Sequence, residues 1–125
     1  MKRDWLIFTA CVSAAGAIAA GAFGAHAANG PAVEWLKTGA QYQLVHAVAA
    51  FAAAGRYRTP SWILLAGSLA FSFSLYALAL GAPRWFGAVA PVGGATMILG
   101  WLWMAYRLSA SRNAATSAND TDLST

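Results

Sequence analysis

The chain predicts an all-α membrane protein: four transmembrane helices in a compact bundle, short loops, both termini cytoplasmic and a disordered C-terminal tail. Three observations carry this. First, 59% of the 125 residues are hydrophobic and only 10% charged, whereas a soluble domain of this size needs more charge on its surface. Second, apolar runs of membrane-crossing length follow one another, separated by Pro/Gly turns. Third, the basic residues fall unequally on the two sides of such a bundle. The net charge of +4 does not imply nucleic acid, because the Lys and Arg residues stand singly or in pairs and form no basic stripe. Residues 1–108 then form one transmembrane domain, and 109–125 the polar tail.

The first span covers about residues 5–28, behind Lys2, Arg3 and Asp4. At 1.5 Å per residue, roughly 20 residues cross a hydrocarbon core of about 30 Å. A competing reading is a cleaved signal peptide, with Ala25-His26-Ala27 as its A-x-A site. Its apolar core would exceed the usual length of about 7–15 residues. The single cysteine, Cys11, excludes an intrachain disulfide and suits a packing role. Small residues recur at every fourth position, Gly16, Ala20 and Gly24 in one row and Ser13, Ala17, Gly21 and Ala25 in the next. Such rows let another helix backbone approach closely, which matters in lipid, where burial from water no longer drives association.

Asn29-Gly30-Pro31 is a turn with Pro31 placed to open a helix, and Glu34, Trp35 and Lys37 read as an interfacial segment. The second span, about 36–55, carries the polar stretch Gln41-Tyr42-Gln43-Leu44-Val45-His46 in its first turns. Tyr42 and His46 share a face at i, i+4, and Gln43 and His46 a neighbouring one at i, i+3. Arg56, Arg58 and Thr59-Pro60 make a basic connection, with Thr59 as N-cap and Pro60 opening the third span, about 61–80. That span has a polar row of its own, Ser68, Ser72 and Tyr76, of the kind that bonds to its own backbone or to a neighbouring helix. After Gly81-Ala82-Pro83-Arg84 comes the fourth span, about 85–106, in which Pro91, Gly93 and Gly94 predict a kink or broken turn. Residues 109–125 are small and polar, without apolar periodicity.

Lys2, Arg3, Arg56, Arg58, Arg107 and Arg112 would lie on one side of the bundle and Lys37 and Arg84 on the other. By the positive-inside rule both termini are cytoplasmic. Trp5, Trp35, Trp62 and Trp85 fall at span entrances and Trp101 and Trp103 towards the last exit, as interfacial anchors do.

Gly21-Ala22-Phe23-Gly24-Ala25-His26, Gln41-Tyr42-Gln43 with His46-Ala47, Phe71-Ser72-Phe73-Ser74-Leu75-Tyr76 and Pro91-Val92-Gly93-Gly94 resemble, in order, the domain-of-unknown-function 423 family, whose relatives include transmembrane protein 256. The resemblance covers roughly residues 5–106, and one departure is visible: Phe73 stands where the family usually has glycine. It implies a small integral membrane protein with about four spans, and no established activity.

With both termini inside, His26 and the stretch from Gln41 to His46 would lie at similar depth, so His26, Gln41, Gln43 and His46 are expected to form one interhelical polar cluster. Gly16, Gly21, Gly24, Gly93 and Gly94 are the expected helix-packing positions. Two histidines could in principle ligate haem or a metal, but with no Cys, Asp or Glu beside them the set is thin, and no metal or other cofactor is expected. The spans contain no Asp or Glu, which weighs against a proton-coupled cation exchanger and leaves a channel or transporter for a neutral solute as the alternative function. No phosphate loop, nucleophile elbow or carboxylate pair is present, so no enzyme is expected. The favoured reading is a multi-pass protein of the inner or plasma membrane, structural or partner-binding, whose partners are the lipid bilayer and either a second membrane protein or another copy of itself.

Overall fold

The computed structural model describes residues 4–124; Lys2 and Arg3, two of the basic residues behind the orientation argument, and Thr125 at the tail's end lie outside them. The described residues form four helices: α1 (Trp5–His26), α2 (Pro31–Ala53), α3 (Arg58–Ala79) and α4 (Val89–Leu123), with a 3-10 turn (Arg84–Ala88) before α4. α1, α2 and α3 have 22, 23 and 22 residues, and each is therefore about 33–35 Å long, enough to cross a bilayer.

Local chemistry sets the ends. Asp4 caps α1, its Oδ1 accepting from the N–H groups of Leu6 at 3.1 Å and Ile7 at 3.2 Å. Gly30, at φ 61°, turns the chain, and Pro31 opens α2 as expected. α3 ends in a Schellman motif: Gly81 sits at φ 94°, the Ala82 N–H bonds the Ala77 carbonyl at 2.9 Å and the Gly81 N–H bonds that of Leu78 at 3.1 Å. α3 starts two residues before Pro60, at Arg58, and no side chain caps it, so Thr59 is not its N-cap.

The fourth apolar run departs from expectation at both ends. Residues 84–88 form the 3-10 turn, so Pro91 falls in the first turn of α4, where its missing N–H has no intrahelical partner to lose. Residues 109–123, expected to be disordered, continue α4 as an exposed helix. No Gly or Pro follows Gly100, and Ala110, Ala114, Ala115 and Ala118 are strong helix formers that extend an existing nucleus.

Helices adjacent in sequence pack side by side; α1 touches α3 at few points, and α1 and α4 have no Cα atoms within 8 Å. The molecule is thus an open row of helices. Leu6 and Ala10 of α1, Ala47 and Ala50 of α2, Ala54 just beyond the end of α2, and Leu65 of α3 form its core. Polarity is inverted relative to a soluble protein: Ser13, Gln43, His46, Ser61, Ser68, Ser72 and Ser74 are buried, while Phe8, Ile18, Val45, Phe51, Ile98 and Leu102 face outward. In water such a surface would aggregate; in lipid it is matched to its solvent. α1, α3 and the segment Arg84–Leu123 are long and apolar enough to cross a membrane. α2 has the length, but Glu34, Lys37, Gln41, Gln43 and His46 lower its mean hydropathy.

Close backbone approach fixes the crossings. A Cβ on Gly93 would lie 2.5 Å from the Phe71 nitrogen and 2.7 Å from the Gly67 oxygen, and one on Gly24 would lie 2.9 Å from the Leu36 Cβ. Gly16 and Gly21 make ordinary contacts at 3.5 Å, and Gly94 faces open space. Gly39 (Tyr76 ring at 2.7 Å), Gly67 (Met97 nitrogen at 2.9 Å) and Gly100 (Leu64 at 2.8 Å) are tight positions that the every-fourth-residue pattern on α1 did not reveal.

Candidate functional site

A cleft of about 410 Å³ opens between α1 and α3, with Gln43 of α2 at its floor. Its walls are Val12, Gly16 and Ala20 from α1 and Leu69, Phe73 and Tyr76 from α3. Phe73, the departure from the family pattern, is 57% exposed and lines this cleft rather than a helix contact.

Gln43 is 3% exposed. Its Nε2 donates to the Ser13 carbonyl at 2.9 Å and to the Ser13 hydroxyl at 3.2 Å, and its Oε1 accepts from the Tyr76 hydroxyl at 2.6 Å. A backbone carbonyl only accepts, so the amide nitrogen must face α1 and the amide oxygen α3. One side chain therefore joins three helices. Four residues earlier in α2, the Gly39 carbonyl accepts from Ser72 at 2.7 Å. Ser68 turns back to the Leu65 carbonyl of its own helix at 2.9 Å. Ser74 bonds the Phe86 carbonyl in the 3-10 turn.

His46, also buried, makes a separate tie. Its Nδ1 lies 2.7 Å from the Tyr42 carbonyl, and the Trp101 Nε1–H donates to its Nε2 at 3.1 Å. The carbonyl needs a donor and the indole N–H an acceptor, so the ring is neutral with the proton on Nδ1. This bond links α2 to α4, helices whose backbones do not touch. Trp101, read from sequence only as an interfacial anchor, is its partner.

The four residues expected in one cluster are thus divided. Gln43 and His46 are buried with different partners, whereas His26 and Gln41 are exposed. The antiparallel register explains it: Gly24 meets Leu36, so the end of α1 lies opposite a point ten residues from His46, about 15 Å along α2. Among the described residues no group of three or more His, Cys, Asp or Glu could hold a metal.

Residues 20–94 match the family described as "Protein of unknown function (DUF423)". The chain is 35% identical over 119 residues to a UPF0382 membrane protein of Haemophilus influenzae, covering 85% of this chain and 94% of the relative. It belongs to the DUF423 family. The UPF0382 inner membrane protein YgdD of Escherichia coli K12 is 37% identical over 116 residues, 83% of this chain and 88% of that one. The UPF0382 membrane protein YwdK of Bacillus subtilis is 34% identical over 110 residues, 77% and 89%. No solved structure matches. The DUF423 match spans Gln43, His46, Ser72 and Tyr76 but neither Ser13 nor Trp101. This DUF423 chain is accordingly a membrane protein, as its outward apolar surface requires.

Proposed function

We propose that this protein is a four-span, multi-pass protein of the plasma membrane, both termini cytoplasmic, with a structural or partner-binding role and no catalytic one. The observation that supports it is the state of Gln43: its N–H groups and its oxygen are engaged by α1 and α3, so the most polar buried group holds helices together and has little left to offer a substrate. Unpartnered polar groups in hydrocarbon are costly, which explains why these bonds run between helices. α2 spans despite its lower hydropathy because Gln43 and His46 bond to neighbouring helices while Val45, Val48 and Phe51 face lipid. α1 remains in the mature protein, since Leu6 and Ala10 complete the core.

Affinity capture of the tagged full chain from membranes tests the role: a stoichiometric membrane-protein partner or a second copy supports it, and a monomer with no partner opposes it. One feature favours the second reading, a channel or transporter for a neutral solute. The walls of the 410 Å³ cleft carry no Asp, Glu, Lys or Arg, so a small uncharged molecule could lie there. Solute flux into vesicles containing the purified protein, absent from empty vesicles, would establish that activity.

A further inference from the structure

The start of α1, the α2–α3 turn and the exit of α4 meet at one end of the molecule, where Asp4 pairs with Arg58 and Arg107 lies against Tyr57. Arg58 is neutralised there by a two-pronged ion pair at 3.0 and 3.1 Å. Arg56 and Arg107 are not. Their guanidinium carbons lie 5.6 and 6.0 Å from the centroid of the same Tyr57 ring, and among the described residues neither has a carboxylate partner. Arg56 Nη2 makes a long bond, 3.4 Å, to the Ser111 hydroxyl. The Tyr57 hydroxyl is covered and unpaired among the described residues.

Two cations gathered on one aromatic ring repel each other, and cation–π attraction offsets this only in part. An anion between them would remove the repulsion, and planar guanidiniums suit phosphate oxygens. The site's depth identifies the source. Arg107 directly follows Tyr106 at the end of the apolar part of α4, and Arg56 lies in the turn just beyond the end of α2, so both stand at headgroup level. We propose that Arg56 and Arg107, held together on the Tyr57 ring, bind the phosphate of an anionic phospholipid headgroup and thereby join α4 to the α2–α3 turn.

The full chain, purified in a non-ionic detergent, is titrated separately with phosphatidylglycerol, phosphatidylcholine and inorganic phosphate, and thermal unfolding is followed by tryptophan fluorescence. Phosphatidylglycerol should raise the unfolding midpoint with concentration, as a ligand of the folded state does; the other two should not. The Arg56→Gln/Arg107→Gln variant should need about tenfold more phosphatidylglycerol for the same rise. Arg84→Gln, at the opposite end, should titrate as the wild type. Each single substitution is titrated too, so a double variant that fails to fold leaves the comparison intact. Wild-type titration by the Arg56 and Arg107 variants, or an equal response to phosphatidylcholine, overturns the site. A rise produced by inorganic phosphate alone overturns the lipid assignment.

Discussion

His46 and His26 look alike in the sequence, yet only one is built into the structure. His46 is fixed in a single tautomer by an acceptor on one side and a donor on the other, whereas His26 is exposed at the end of α1. Trp101→Phe keeps an aromatic group but deletes the indole N–H together with part of the ring, and should cost at least about 0.6 kcal/mol, the average for an interhelical bond in a membrane protein. His26→Ala should be neutral, and the effects of His26→Ala and His46→Ala should add, because the two share no partner; thermal unfolding in detergent measures all of these. Asp4 gives a pH prediction. Its carboxyl is held below the usual 3.8, first by the Arg58 guanidinium and then by the Ile7 N–H. A carboxyl with a lowered folded value stabilises above its unfolded value, and that contribution is lost as pH falls through the folded one. Comparing wild type with Asp4→Asn across pH 3–6 should therefore show a constant advantage above about pH 4 that shrinks below it.

At the scale of elements, the α3–α4 crossing depends on bare backbone. Gly93→Ala puts a methyl against the backbone of Phe71 and Gly67, which can yield only by separating the helices, so a loss of about 1–3 kcal/mol is expected. The neighbouring Gly94→Ala meets nothing within 4 Å and should be neutral or stabilise by up to about 1 kcal/mol through helix propensity. Equal losses at the two sites, in the same unfolding assay, would mean that the crossing lies elsewhere. Existence and order of the helices were legible in the sequence because apolar runs and Pro/Gly turns are local signals. Which glycines touch was not, since Gly93 and Gly94 differ only in the direction they face. The tail misled for a related reason: composition suggests disorder, but alanines attached to a preformed helix prolong it.

At the scale of the whole molecule, α4 is about 52 Å long at 1.5 Å per residue, so its part beyond Arg107 projects past a bilayer of about 30 Å. Reporter fusions after Arg58 and after Arg107 should both report the cytoplasm and one after Lys37 the exterior; the reverse would defeat the orientation. The sequence pointed to Gln43 as a polar residue needing a partner, but its partners Ser13 and Tyr76 stand 30 and 33 residues away, a distance only the packing register closes. The backbones of α1 and α4 do not meet, so each helix is held by its neighbours in the row, and α1, α2 and α3 are tied together by Gln43. The most direct measurement is a double-mutant cycle of Gln43→Leu and Tyr76→Phe by unfolding of the purified chain. Each change should destabilise, and together they should cost less than their sum by about 0.6–1.7 kcal/mol; strictly additive losses would show that the amide and the phenol do not bind each other, and that this three-helix tie does not exist.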